Sequence, residues 1–353
     1  MTNNKDKKVL NVPNLRFPEF TGEWKKERLD EIAELSKGIG ISKEQLSSNG
    51  NPCILYGELY TKYKSEIISE VISKTNIEKN KLKHSKQNDV IIPCSGETAV
   101  DIAVARCVPF DNVLLGGDLN IIRLHKYDGA FMAYQLNSKR KIEIAKLAQG
   151  VSVVHLYGEN LKSINTFNPS LQEQQKIVRL LSLLDERIKV QNKIIEDLKK
   201  LKSAIRKRVF TSLKNEHTEN CEINQLLAYE QPSAYIVAND EYSADTTLTP
   251  VLTANKGFVL GYTNEDFGIY QKGECIIFDD FTMDTKYVSF PFKVKSSAIK
   301  ILTAKPNVNL RFMFEYLLYL ELKSEEHKRH YISEIASLVI KLPLKEKLSL
   351  IHI

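Results

Sequence analysis

Residues 170–213 read SLQEQQKIVRLLSLLDERIKVQNKIIEDLKKLKSAIRKRVFTSL. Within this stretch Ile177, Leu181, Leu184, Ile188, Gln191, Ile195, Leu198, Lys202, Ile205 and Val209 follow one another in alternating steps of four and three. That is a heptad seam of period 3.5, the pattern of a helix that meets a partner helix along one face. Charges fill positions between, among them Asp185, Glu186, Arg187, Glu196, Asp197, Lys199 and Lys200. Pro169 cannot sit inside a helix and Ser170 suits a cap, so the helix is predicted to start there. About forty residues, at about 1.5 Å each, make a rod of about 60 Å. Gln191 and Lys202 in the seam favour one register at a cost in stability. The plainer alternative is an amphipathic helix packed on a globular core.

Working outward, a segment of mixed character lies on each side of the rod. In the first, Asp89-Val90-Ile91-Ile92-Pro93 and Leu119-Asn120-Ile121-Ile122-Arg123-Leu124 are apolar runs, and Gly129 to Leu136 is helix-like. In the second, Gly273 to Phe278, Ala298 to Leu302 and Leu310 to Leu318 follow in the same order. A fourth pair is Leu161 to Ile164 before Pro169, and Leu338 to Leu342 before Pro343. Four matches in one order point to a duplicated unit that has diverged.

The chain has 353 residues, 42% hydrophobic and 27% charged, a composition of globular domains, and the length suggests two or three of them. No run of eighteen apolar residues exists, so no membrane span is expected. The polar start, Met1 to Lys8, has no signal-peptide core, which places the protein in the cytoplasm. Five scattered cysteines (Cys53, Cys94, Cys107, Cys221, Cys275) show no C-x-x-C spacing and read as reduced thiols, not as a zinc site or disulfide framework. Residues 1–213 hold 35 Lys+Arg against 25 Asp+Glu, and residues 214–353 hold 15 against 19. The basic first part suits contacts with phosphates; the acidic remainder cannot rely on bulk attraction to DNA.

The enzyme classes one would test first find no support. There is no G-x-x-x-x-G-K-[ST] loop for a nucleotide and no Pro-Pro, hence no methyltransferase Asn/Asp-Pro-Pro-aromatic loop. Gly38-Ile39-Gly40 lacks a third glycine and a preceding strand, and reads as a turn. Asp279, Asp280 and Asp284 with Lys286 come nearest to a nuclease cluster, but read better as a polar loop after a buried strand. The seven histidines form no i, i+4 metal pair. No catalytic residue, metal or cofactor is expected.

Several stretches carry a closer resemblance. Pro13-Asn14-Leu15-Arg16-Phe17-Pro18-Glu19-Phe20 with Glu23-Trp24-Lys25, the run from Asn88 to Thr98, and the junction from Leu161 through Pro169 to Gln172-Glu173-Gln174-Gln175-Lys176-Ile177 look like one family. Together with the helix from Leu180 to Arg208, they resemble the specificity subunit of Type I restriction-modification systems. The resemblance covers residues 13 to about 213 and is looser beyond. It implies an α+β protein: a first target-recognition domain over residues 1–168, a central coiled-coil spacer helix over 169–213, a second target-recognition domain over 214–342, and a truncated start of a second spacer over 343–353. It implies a bipartite site on double-stranded DNA, modification (methyltransferase) subunits bound to the chain, and restriction/motor subunits acting through them. A second spacer helix, which the family packs along the first, is missing after Pro343. The exposed seam is therefore expected to pair in trans, by self-association or with helices of the modification subunit. A non-DNA-binding coiled-coil scaffold and a truncated, inactive subunit stand as the alternatives.

Base reading needs side chains that reach base edges, backed by cations on phosphates. Tyr60, Lys62, Tyr63 and Lys64 interleave aromatic and basic groups; the lysines are assigned to phosphates and a tyrosine to bases or sugar. The alternative is a strand with tyrosines packed inward. Ser95 and Thr98, in a short polar loop, and Gln149 and Ser152, before the last strand, complete the first set. In the second segment Thr253, Asn255, Lys256, Tyr262, Thr282, Lys286, Arg329, His330 and Tyr331 are chosen by repeat alignment and residue type.

Overall fold

The computed structural model describes residues 11–78, 80, 82–214, 218–255, 257–323 and 331–343. The chain is α+β and divides into two compact units, Met1–Asn192 and Lys193–Ile353. In the first unit four strands, β1 (Ala33–Lys37), β2 (Asp89–Pro93), β3 (Arg106–Val108) and β4 (Leu119–Leu124), form an antiparallel sheet in the order β1-β4-β2-β3. All five residues of β2 are buried. Successive strand residues point to opposite faces, so a continuous apolar run requires cover on both sides. Val90 and Ile92 join Leu29, Ile122, Met132 and Leu136 on one face, while Ile91 joins Leu59, Val108 and Ile121 on the other. Each such fully buried side chain contributes about 1.5–3 kcal/mol. The first face is closed by α1 (Gly129–Asn137), which starts where the Asp128 carboxylate accepts from the Phe131 N–H at 2.9 Å.

The second unit repeats this plan. Strands β5 (Leu227–Glu230), β6 (Cys275–Asp279), β7 (Thr285–Val288) and β8 (Ile299–Ala304) are ordered β5-β8-β6-β7, first, fourth, second and third as before. Ile276, Phe278 and Leu302 face one cluster, and Cys275, Ile277 and Ile301 the other. Both units add a parallel strand pair (Asn51–Ile54 with Leu114–Leu115; Thr249–Leu252 with Lys293–Val294). Both also add a closing antiparallel pair (Lys25–Arg28 with Asn165–Asn168; Thr218–Glu222 with Val339–Pro343). The fourth repeat match needs a shift. The strand of the first unit is Asn165–Asn168, and Gly158–Leu161 is a helical turn whose Leu161 fills the core. Pro343 lies inside the last strand, with residues 344–353 outside the described part.

The rod is a single helix, α2 (Leu171–Lys214). Its first turn is locked to the first unit. Glu173, 1% exposed, receives both Nε and Nη2 of Arg16 at 2.7 Å and the Trp24 indole N–H at 3.2 Å. Gln174, fully buried, donates to the Pro169 carbonyl and accepts from the Asp128 N–H. The glutamine-rich junction is thus an anchor. Near the other end Phe210 is buried among Phe312, Tyr316 and Tyr319 of the second unit, and Arg206 bonds Glu315 at 2.7 Å. From 186 to 205 every residue is exposed. Among the described residues no helix is long and apolar enough to cross a membrane.

Candidate nucleic-acid interface

Two short strands, Ser95–Gly96 and Val154–His155, pair antiparallel away from the main sheet of the first unit. Gln149 and His155 then exchange backbone hydrogen bonds at 2.9 and 2.7 Å, closing the intervening residues into a tight loop. Gly150 turns it at φ +120°, where a Cβ would stand 2.2 Å from the Val153 carbonyl oxygen. This conformation is open to glycine and strained for other residues. The loop projects Gln149, Val151, Ser152 and Val153 to the outside, Val151 at 98% exposure. Beside it, Thr98 caps a helical turn by accepting from the Asp101 N–H, and a Cβ on Gly96 would lie 3.6 Å from the Tyr60 hydroxyl. Burial raises the Tyr60 hydroxyl pKa, leaving it a neutral donor. Tyr60, Ser95, Thr98, Gln149 and Ser152, scattered in sequence, therefore meet around one ladder.

Four residues that residue type did not single out join them. His155 and Tyr157 stack with ring centroids 6.2 Å apart, and Tyr157 is exposed. Lys37, at the end of β1, is 3.2 Å from Asp118, whose carboxylate also accepts from the Ser95 hydroxyl at 3.2 Å. The hydrogen bond to Asp118 raises the Lys37 pKa, with Tyr157 close enough to add to the effect. The His155-x-Tyr157 spacing was a usable signal. Lys37 and Val151 gave none, because their position depends on strand pairing. An exposed cation beside stacked rings and a loop of polar and small groups can hold a phosphate while presenting groups to base edges.

The structure places the other candidates of the first unit differently. Tyr63 is 6% exposed; its hydroxyl accepts from the Ile72 N–H, its carbonyl from Arg106, and burial pushes its pKa up to about 12. It is a core residue. Lys62 sits in the one-turn helix region and places Nζ 2.7 Å from Glu58 and 3.3 Å from Ser73, neutralising a buried carboxylate. Lys64 is exposed and donates to the Tyr60 carbonyl at 3.3 Å. Lys62→Ala is accordingly expected to leave the salt dependence of DNA binding unchanged. It should instead lower stability by about 1–2 kcal/mol, as Glu58 loses its cation; urea unfolding of the variant checks this. Ser95 is buried, with its hydroxyl committed to Asp118.

In the second unit Thr253 and Asn255 lie at the tip of the hairpin Thr249–Leu252 and Val259–Thr263, with Tyr262 on its second strand. Thr253 is 9% exposed, and Asn255 folds its carbonyl onto the Gly257 N–H. Thr282 is exposed in the β6–β7 turn and Lys286 is half-buried on β7. Tyr331 is 1% exposed, packed on Tyr229 and Phe278, and its N–H donates to Asp280 at 2.7 Å; it too is core. Lys256, Arg329 and His330 lie outside the described residues. The aspartates of this turn are structural: Asp279 accepts from the N–H groups of Phe281 and Thr282, and Asp280 pairs with the fully buried Lys300 at 3.2 Å. Among the described residues no group of three His, Cys, Asp or Glu could hold a metal ion.

Burial also silences the thiols. Cys94, Cys107 and Cys275 are pushed up to about 12 and Cys53 to about 11. Only the thiolate reacts. Ellman's reagent at pH 8 should thus label Cys221, which is half-buried, well ahead of the other four. Rapid release of more than one equivalent from the folded chain would contradict this packing.

Comparison with known proteins gives a consistent picture. Residues 21–200 match the family model described as the Type I restriction modification DNA specificity domain. The EcoR124I/EcoR124II type I restriction enzyme specificity subunit of Escherichia coli is 44% identical over 127 residues, covering 34% of this chain and 31% of that protein. A putative type I restriction enzyme specificity subunit of Haemophilus influenzae is 28% identical over 190 residues, covering 50% of this chain and 46% of that protein. The matches thus span less than half the length of these relatives. The crystal structure of a Type I restriction-modification S subunit from M. genitalium superposes with a TM-score of 0.61 at 16% identity, over 96% of this chain and 89% of that one.

Proposed function

The chain belongs to the Type I restriction modification DNA specificity family, and from that premise we propose that it is the sequence-reading subunit of such a system. It reads the two halves of a bipartite site on double-stranded DNA with its two units, working in the cytoplasm. Methylation is performed by modification subunits bound to it, with restriction/motor subunits adding cleavage, and the chain itself performs no reaction. The observation that carries this reading is the repeated strand order of the two units, first, fourth, second and third in each. Two copies of one scaffold with different loops are what reading two different half-sites requires. Residues 169–213 act as the spacer. Lys37, Tyr60, Thr98, Gln149, Ser152 and Tyr157 form the contact surface of the first unit, and Asn255, Tyr262, Thr282 and Lys286 that of the second.

The test is a map of methylated positions in cells carrying the chain with its modification subunit. A split motif that changes in one half when residues 149–157 are exchanged supports the assignment. A motif unaffected by changes in either unit contradicts it.

A further inference from the structure

The loop that closes on the small ladder of the first unit presents side chains of two kinds. Gln149 and Ser152 can exchange hydrogen bonds, whereas Val151 and Val153 cannot, yet both valines are exposed. Two more exposed apolar groups belong to the same place. Val100 lies in the helical turn Ala99–Ile102 that Thr98 caps, and Tyr157 stacks on His155. A single exposed valine is ordinary on a protein surface. Four exposed apolar groups gathered round one two-stranded ladder mark a surface that meets something.

Val151 is the outermost of them, at 98% exposure. The fold does not use its side chain: the turn is made by Gly150 at φ +120° and by the backbone exchange between Gln149 and His155. A branched side chain has few rotamers, so its two methyl groups are held out at low entropic cost. Base edges offer such a group little choice. In both grooves they are lined by hydrogen-bond donors and acceptors, and the C5-methyl of thymine, in the major groove, is the apolar group among them.

We propose that Val151 packs on the C5-methyl group of a thymine in the major groove, and so selects one A·T pair of the half-site read by the first unit. The inference rests on the DNA-reading role given above and adds the chemical group that this side chain recognises. Because the methyl belongs to one strand, such a contact rejects the inverted T·A pair as well as both G·C orientations. A valine acting instead as a wedge between base steps in the minor groove would be blind to the methyl, which lies in the other groove. Replacing thymidine by deoxyuridine deletes the methyl and leaves the pairing edge intact, which separates the two modes.

The full chain with its modification subunit is titrated against duplexes carrying the mapped motif, with each thymidine of the half-site changed to deoxyuridine in turn. One position should weaken binding about fourfold, the effect of leaving one methyl unburied. Val151→Ala should bind the unmodified duplex more weakly by about the same factor and be indifferent to deoxyuridine at that position. That loss of sensitivity is a readout that a merely structural role would not move. The urea midpoint of the variant should equal that of the wild type, because the side chain buries almost nothing. No deoxyuridine effect at any position overturns the proposal, as does an effect that persists in Val151→Ala, or a half-site without an A·T pair. A wild-type complex that fails to distinguish the mapped duplex from a scrambled one instead removes the DNA-reading role, and the inference with it.

Discussion

Phe210→Ala is expected to destabilise the second unit by about 3–5 kcal/mol while leaving the first untouched. The Phe210 ring is 2% exposed, with centroids 5.4, 5.0 and 5.2 Å from those of Phe312, Tyr316 and Tyr319. These aromatics belong to the helix Leu310–Tyr319 and its end, which covers one face of the second sheet. Truncation opens a cavity that the neighbours, held in the same cluster, can only partly close. The molecule supplies its own control. Its single tryptophan, Trp24, lies in the first unit, its ring 5.9 Å from that of Phe131. In urea, the Trp24 fluorescence transition should stay in place while part of the far-UV signal unfolds early. If both transitions move together, or neither moves, Phe210 is not the anchor described.

The second large effect concerns DNA. Lys37→Ala and Tyr157→Ala, combined, should weaken binding to the cognate duplex about tenfold to a hundredfold, and the components should separate by salt and sequence. On the proposed reading Lys37 holds one phosphate, so its removal should lower the slope of log affinity against log salt by about one. Removal of Tyr157 should leave the slope alone and reduce discrimination between cognate and altered half-sites. Fluorescence anisotropy with duplexes carrying the mapped motif, over a salt series, gives both quantities. Unchanged affinity in the double variant would remove this face from the interface.

The contrast between these two predictions shows what the sequence alone reveals. The rod was legible because its period is local: each step from Ile177 to Val209 reports a face without knowledge of the rest. The sheet strands were legible for a related reason, since a run such as Val90-Ile91-Ile92 survives only between two covered faces. Their shared order let the repeat be seen through weak matches. The proposed contact surface was only half legible. Gln149, Ser152 and Thr98 are turn residues whose exposure follows from type. Tyr63 and Tyr331 are of the right type, but their side chains point inward, a direction set by tertiary packing. Lys62 could not be told from a phosphate ligand until Glu58 was found beneath it. Lys37 meets this ladder only through Asp118, which also holds Ser95, and nothing near Lys37 in the chain announces that.

The loop from Gln149 to Val153 hangs on that small ladder and contributes no residue to the main sheet. On the proposed reading, residues that discriminate and residues that hold the fold are therefore different sets. Such a separation lets natural variation rewrite the loop, one substitution at a time, with little risk of unfolding the domain. A lineage under pressure to recognise new targets could thus drift rapidly at these few positions while its sheet stays nearly constant.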